Sequence, residues 1–397
     1  MVPTELLTTS VATGGEAVAR DGDGRVVFVQ GALAGERVLV ELTEQKKTFA
    51  RGRVVSVVEA AEGRIEPRCP EQANGCGGCD FGFARPDAQH QAKAQMVTDS
   101  LQRLGRLVEV PPVGFGPALP SIDFRTTLRA VVTNGRAGLR RRRSHDAVDV
   151  DRCRVAHPLV EELLVEGRYG DAREVTIRVG ARTGERLVIV TPGANGVAVP
   201  DDVTVVGTDE LGAGRQAFLH EMVDGHQFRI SADSFFQTRP DGAEALVNIV
   251  RSAVGSAPPE TLIDLCCGVG LFGATVAAGH VVGVEANRSA IGDARVNLAH
   301  LGDRAQLGVS SFERWSPVTA DVVIADPSRS GLGKVGVENV AATGAPLVVL
   351  VSCDAASLGR DAGLLAGHGY ALEAVTLVDM FPDTSHVEVV SVFRSGW

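Results

Sequence analysis

Cys353 follows the apolar run 347–351 across Ser352, so a thiol falls at the carboxyl end of what reads as a buried strand. A thiolate there can add to an electrophilic carbon once its pKa is lowered; the plainer alternative is a small packed residue. A second stretch, Thr261-Leu-Ile-Asp-Leu-Cys-Cys-Gly-Val-Gly-Leu-Phe-Gly273, reads as a buried strand ending at Asp264, then a glycine turn and the start of a helix. Gly268 and Gly270 let the backbone turn tightly and approach a ligand. Further on, the apolar run His280-Val-Val-Gly-Val-Glu285 ends in a carboxylate, which can accept hydrogen bonds from both hydroxyls of a ribose. Together these features indicate a nucleoside-type cofactor, against the alternative of a glycine turn with no ligand.

Four more thiols form a second constellation. Cys69, Cys76 and Cys79 lie close together, and Cys153 lies far downstream. Four thiolates suit a tetrahedral zinc ion or an iron–sulfur cluster. Zinc ribbons usually present two C-x-x-C knuckles, and here Cys76-Gly-Gly-Cys79 stands without a second. Three close cysteines and a distant fourth match a [4Fe–4S] cluster better, and Gly75, Gly77 and Gly78 let the loop wrap a bulky cofactor. The spacing is not the C-x3-C-x2-C of radical S-adenosylmethionine enzymes. Unligated buried thiols are the remaining alternative.

The chain must supply elements to hold these groups. Its 397 residues allow two or three domains, and 44% hydrophobic with 22% charged residues is the balance of a folded soluble protein. No apolar run is long enough to span a membrane, and the first residues lack a basic segment followed by an apolar one, so a cytoplasmic protein is expected. Disulfides are not expected there, and the seven cysteines are odd in number. The formal net charge of −10 disfavours a polyanionic partner for the chain as a whole. Locally the balance reverses. Residues 120–154 hold nine arginines (125, 129, 136, 140, 141, 142, 143, 152 and 154) against four acids. That patch is either an RNA surface or a solvated hairpin.

Short β-rich runs at 15–20, 25–29, 37–42 and 50–58, separated by glycine turns, predict a small N-terminal barrel, with Lys46, Lys47, Arg51 and Arg53 as a basic edge. Residues 81–104 have helical periodicity, and Pro111, Pro112, Pro117 and Pro120 mark a linker. Hairpins are expected across Asn134-Gly135 and around 182–185, then a strand at 228–232 and a helix capped by Thr238 and Pro240 and running to Val254. From 261 onward, strands at 261–265, 280–284, 321–325, 346–351, 371–378 and 387–393 alternate with helices at 270–278, 287–300, 334–342 and 355–366. This predicts an α/β, doubly wound, mostly parallel sheet with an antiparallel hairpin at one edge and chemistry at the carboxyl ends of its strands.

Several motifs together resemble the RNA uracil-5-methyltransferases, which make 5-methyluridine. They are Asp326-Pro-Ser-Arg-Ser-Gly331, Val351-Ser-Cys-Asp354 and Asp379-Met-Phe-Pro-Asp-Thr-Ser-His-Val-Glu388, with Ser234-Phe-Phe-Gln237 and Asp264-Leu-Cys-Cys-Gly-Val-Gly270 as cofactor motifs. The cysteine pattern is similar to that of the cluster-containing members, which mostly modify ribosomal RNA, and residues 1–58 resemble the RNA-binding TRAM barrel. The resemblance implies a TRAM-like barrel at 1–60, a cluster segment at 61–120 with Cys153, a central β-rich RNA-binding domain at 121–232, and a Rossmann-like S-adenosylmethionine methyltransferase domain at 233–397. It also implies roles for single residues. Cys353 would add to C6 of uracil and Glu388 would remove the C5 proton. Gln237, Cys266, Glu285 and Asp326 would contact S-adenosylmethionine, and Cys69, Cys76, Cys79 and Cys153 would hold a [4Fe–4S] cluster. Phe124-Arg125 would edge the uracil pocket, and the target base would flip out of its stack. The expected substrate is 23S ribosomal RNA, with transfer RNA, or a catalytically silent RNA-binding assembly factor, as alternatives. Cys266, Leu271, Ser311, Thr126 and Thr127 depart from the usual residues of these motifs.

Overall fold

The computed structural model describes residues 3–142, 144 and 146–396. The N-terminal strands Thr4–Val11, Ala17–Arg20, Val26–Gln30, Arg37–Gln45 and Phe49–Glu59 close into a five-stranded barrel. Inward residues alternate along them, as Val27, Val29, Val38 and Val40 do, and fill the core without exposure. The first strand was not visible in the sequence because Thr4-Glu-Leu-Leu-Thr-Thr-Ser is largely polar. Three of the four basic residues of this edge are ion-paired: Arg53 with Glu41 at 2.7 Å, Lys46 with Glu44 at 3.4 Å, and Arg51 with Glu16.

The central region is a six-stranded sheet whose hairpin turns at Asn134 (φ 51°) and Gly135 (φ 74°), the two left-handed positions that an Asn-Gly turn supplies. Its arginines are partly consumed by internal contacts. Arg129 and Arg140 both pair with Glu174, and Arg142 lies 3.3 Å from Asp80. Arg143 lies outside the described residues.

The C-terminal sheet has eight strands in the order Ala305–Val309, His280–Glu285, Thr261–Leu265, Val322–Ala325, Leu347–Ser352, Val389–Ser395, Tyr370–Leu377, Val113–Phe115. The first five run parallel, and Val389–Ser395 is inserted antiparallel between its two neighbours. Both faces are covered, so the inner strands read as continuous apolar runs. Leu262 and Ile324 face one core, and Ile263, Leu265, Val323 and Ala325 face the other.

Three expectations change. The proline-rich stretch read as a linker contributes the strand Val113–Phe115, parallel to Tyr370–Leu377, so the antiparallel hairpin is not the sheet's edge. The short strands Ala305–Val309 and Phe218–Val223 were not anticipated. Thr238 is not a helix cap: the helix Pro240–Val254 starts after Arg239, with no side-chain cap, and Pro240 occupies its first turn.

The helix Pro86–Arg103 lies tightly against the helix Ala355–Gly367. A Cβ on Gly359 would come within 2.3 Å of the Ser100 carbonyl oxygen, and one on Gly363 within 2.5 Å of that of Gly105. Among the described residues no helix is long and apolar enough to cross a membrane.

Gly52 limits the barrel. A Cβ there would sit 2.4 Å from Val40 Cγ1 and 2.8 Å from the Glu41 carbonyl oxygen. Gly52→Ala should destabilise the barrel by about 1–3 kcal/mol. A thermal or urea unfolding curve unchanged from wild type would contradict this packing.

Candidate active site

Sheet register gathers the chemistry. Leu265 pairs with Val284 on one side and Ala325 on the other, so the next residues, Cys266, Glu285 and Asp326, form a row at the carboxyl rim. Cys266 takes the left-handed backbone at φ 64°, a strained state for a side-chain-bearing residue. Gly268, Gly270 and Gly273 follow at G-x-G-x-x-G spacing. The first two have φ of 53° and 89°. The third allows close packing, because a Cβ on it would reach 2.9 Å from Leu298 Cδ2.

Glu285 is held by two backbone donors. Gly268 N–H donates to Oε2 at 3.2 Å and Asn287 N–H to Oε1 at 2.7 Å. Each oxygen keeps acceptor capacity, the arrangement needed to receive two vicinal hydroxyls. Asp264, 1% exposed, accepts from Gly273 N–H at 2.9 Å through Oδ2, while Oδ1 has no partner. Burial pushes its pKa up to about 7 against that hydrogen bond.

Gln237 donates from Nε2 to Asp326 Oδ2 at 3.1 Å. Burial and the Asp264 charge push Asp326 up to about 7 as well. The Gln237 segment is fixed from below. Arg178 donates to the carbonyl oxygens of Ser231, Ala232 and Ser234, and Ser234 Oγ donates to Asp293 at 2.7 Å.

The strands Leu347–Ser352 and Val389–Ser395 pair in a register that ends at Ser352 opposite Val389. One step further puts Cys353 opposite Glu388. Residues so placed on antiparallel strands have Cα atoms about 4.5–5.5 Å apart and side chains on the same face. Glu388 is 3% exposed, and Cys353 is half-buried. Burial raises the Cys353 thiol to about 11, with Glu388 and Asp326 adding to the rise and Arg329 opposing it. Burial, then Asp326, holds Glu388 well above the usual carboxylate range. Both shifts disfavour the charged forms of the pair, and a cation beside them would oppose those shifts.

Phe124 is buried beneath the Arg239 guanidinium, 4.3 Å from its ring centroid, and Arg239 is itself locked to Asp241 at 2.7 Å. Arg125 donates from Nε to the Thr127 carbonyl oxygen at 2.9 Å. Its charge is felt by the thiols of Cys79 and Cys153 on one side and by Arg329 on the other. Arg329 was quoted in a motif without a role, yet it is the cation acting on Cys353. Arg178 and Arg239 gave no sequence signal, since a buried arginine is written like an exposed one.

Cys69, Cys76, Cys79 and Cys153 influence one another electrostatically. Burial raises Cys76, Cys79 and Cys153, and each is raised further by the charge of others in the set. The loop is anchored to the arginine hairpin. Gly77 N–H donates to the Arg140 carbonyl oxygen at 3.0 Å, and a Cβ on Gly77 would meet the Arg142 backbone at 2.5 Å. Among the described residues no three His, Cys, Asp or Glu side chains approach closely enough to ligate one metal ion.

With this geometry in hand, the chain compares as follows. Residues 5–55 match the TRAM domain. A protein of Streptomyces avermitilis, named an uncharacterized RNA methyltransferase, is 35% identical over 418 residues, covering 97% of this chain and 96% of its own. One of Gloeobacter violaceus with the same name is 31% identical over 437 residues, covering 97% and 95%. The fold is that of the Pyrococcus abyssi tRNA (uracil-54, C5)-methyltransferase in complex with S-adenosyl-L-homocysteine, at TM-score 0.73 and 22% identity over 98% of this chain and 99% of that one. The architecture is thus a methyltransferase α/β fold carrying an N-terminal TRAM barrel. The chain belongs to the RNA methyltransferase family.

The acidic shell makes a prediction for the ligand-free protein. With a pKa of about 11, Cys353 should hold roughly a hundredfold less thiolate near neutral pH than an ordinary thiol. Peptide-resolved iodoacetamide labelling should therefore find it slow, rising only at high pH. Removing the Glu388 charge in Glu388→Gln should move that rise to lower pH. Rapid labelling of Cys353 at neutral pH would contradict the assigned burial.

Proposed function

We propose that the protein transfers a methyl group from S-adenosylmethionine to C5 of a uridine in RNA, in the cytoplasm, with Cys353 as nucleophile and Glu388 as base. The observation carrying this reading is the register that sets Cys353 opposite Glu388 at the rim shared with Glu285 and Asp326. Glu285 receives the ribose hydroxyls, Cys266 lies beside it, and Gln237 with Asp326 borders the space between cofactor and base.

The chemistry needs two separate groups. Cys353 forms an S–C6 bond, and the C5=C6 π electrons move toward O4, leaving C5 nucleophilic. C5 takes the methyl carbon as the sulfonium C–S bond breaks, releasing neutral S-adenosylhomocysteine. Glu388 then accepts the C5 proton, the C5=C6 bond re-forms, and the Cys353 thiolate leaves. One group cannot be covalently bound and free at the same step. Cys353 and Glu388 each lose a proton to solvent before attack, and a sulfonium cation beside Asp326 favours both ionisations by offsetting the acidic shell.

Cys69, Cys76, Cys79 and Cys153 would hold a [4Fe–4S] cluster. The chemistry of four thiols, each of Cys76, Cys79 and Cys153 raised by the charge of others in the set, supports this reading. When bound, it would ligate the four thiolates and tie the cysteine loop to the central sheet; methylation itself requires no electron transfer.

The substrate proposed is ribosomal RNA, on the cysteine pattern. Transfer RNA is the second reading, favoured by the full-length likeness to a transfer RNA enzyme. Methyl transfer from labelled S-adenosylmethionine to RNA from cells lacking this protein, followed by mapping of the methylated nucleotide, separates them. Cys353→Ala should abolish transfer and Glu388→Gln should slow turnover by roughly a hundredfold or more. Full activity in Cys353→Ala, or a methyl group elsewhere than uracil C5, would overturn the reading.

A further inference from the structure

The loop between the strands Tyr370–Leu377 and Val389–Ser395 ends on Glu388, and it is closed at its base by Val378 N–H donating to the Glu388 carbonyl oxygen at 2.8 Å. Its outer edge is held from a segment nearly three hundred residues earlier in the chain. Asp80 accepts from Ser385 twice, from N–H at 2.8 Å and from Oγ at 2.7 Å. Phe81 N–H donates to the Asp383 carbonyl oxygen at 2.8 Å. Gln89 donates to Asp383 Oδ1 at 2.9 Å and accepts from Asp383 N–H at 2.8 Å. Asp383 is thereby fixed in a left-handed conformation at φ 61°. One turn further along the helix, the fully buried Lys93 donates to Asp379 Oδ1 at 2.6 Å and to the Phe381 carbonyl oxygen at 2.9 Å. His90 meets the other Asp379 oxygen at 3.0 Å.

These contacts exceed what a covering loop needs. A buried lysine is stable only when its charge is paired and its donors are used, and here both acceptors, Asp379 and the Phe381 carbonyl, lie in the loop. Ser385 also leaves no slack toward the barrel, because a Cβ on Gly15 would lie 2.5 Å from its Cβ. A base must be held within a fraction of an ångström of its proton, and loops hold poorly unless strapped to rigid elements.

We propose that residues 80–93 are a positioning strap for the loop that presents Glu388, with Asp80 its decisive positioning residue. The strap sets the base and leaves the nucleophile free, since Cys353 stands on a different strand. Asp80 follows Cys79 directly, so the cysteine loop and the base loop are joined through one peptide bond and one carboxylate. This rests on the reading of Cys353 as nucleophile and Glu388 as base.

That separation gives the test. A misplaced base leaves C6 addition and methyl transfer intact and stalls release, so a methylated protein–RNA adduct accumulates. Wild type, Glu388→Gln, Asp80→Ala, Asp80→Asn and Ser385→Ala are incubated as full chains with substrate RNA and S-adenosylmethionine and resolved on a denaturing gel. Asp80→Ala should accumulate the adduct as Glu388→Gln does, with kcat lowered roughly tenfold to a hundredfold and KM for RNA little changed. Asp80→Asn, which keeps an acceptor for Ser385 N–H, should recover part of the turnover. If Asp80→Ala does not fold, Ser385→Ala carries the same expectation, since it removes the Oγ contact alone. Loss of activity without adduct, or normal turnover, overturns the strap while Glu388→Gln still traps RNA. No adduct in Glu388→Gln would instead overturn the reading of the site.

Discussion

The antiparallel pairing of Leu347–Ser352 with Val389–Ser395 is the constraint on which the site depends. A doubly wound sheet brings parallel strand ends to one rim by topology. It would not bring the start of its last strand there, because a parallel strand enters from the opposite end. Inserting Val389–Ser395 antiparallel reverses that and sets the residue before it beside the residue after Leu347–Ser352. A register slip of one residue would turn Glu388 to the other face. The pairing is protected by apolar residues on both sides, including Val349, Val351, Val389 and Phe393, all within 1% of full burial.

The second physical theme is accumulated negative charge. Asp264, Asp326 and Glu388 are enclosed close enough to raise one another or the thiol between them. Such a site is costly to ionise when empty and favours a cation. Two arginines act electrostatically on this region, Arg329 on Cys353 and Arg125 on Arg329 and the thiols of Cys79 and Cys153. The candidate site is therefore acidic, with Arg329 and Arg125 acting on its members, a division suited to the cationic donor and polyanionic acceptor of the proposed reaction.

Much of this was legible in the sequence. The parallel strands were readable because burial on both faces makes them apolar throughout, as in Leu347-Val-Val-Leu-Val. The hairpin at Asn134-Gly135 was readable because few other residues accept two left-handed positions. The polar strand Thr4–Val11 and the two-residue and three-residue strands lacked any periodic signal. The contribution of Val113–Phe115 to the far edge of the sheet was hidden, since prolines flank it and only tertiary pairing makes it a strand. At the site, motif positions singled out Cys353 and Glu388 as candidates. The contacts of Asp80, Gln89 and Lys93 with the Glu388 loop depend on separations near three hundred residues and leave no local pattern. The ion pairs along the basic edge of the barrel belong to the same class, because pairing with Glu16 or Glu41 is set by strand register.

The central claim is that Cys353 and Glu388 divide one reaction between them across a strand pair. Substrate RNA carrying 5-fluorouridine at the target tests it directly, because the C5 fluorine cannot be removed as a proton and the cycle must stop on the enzyme. Mass spectrometry of the digested complex should find the peptide containing Cys353 carrying a methylated 5-fluorouracil nucleotide, formed only with S-adenosylmethionine present. No covalent nucleotide, or one attached at a cysteine other than Cys353, would contradict the account.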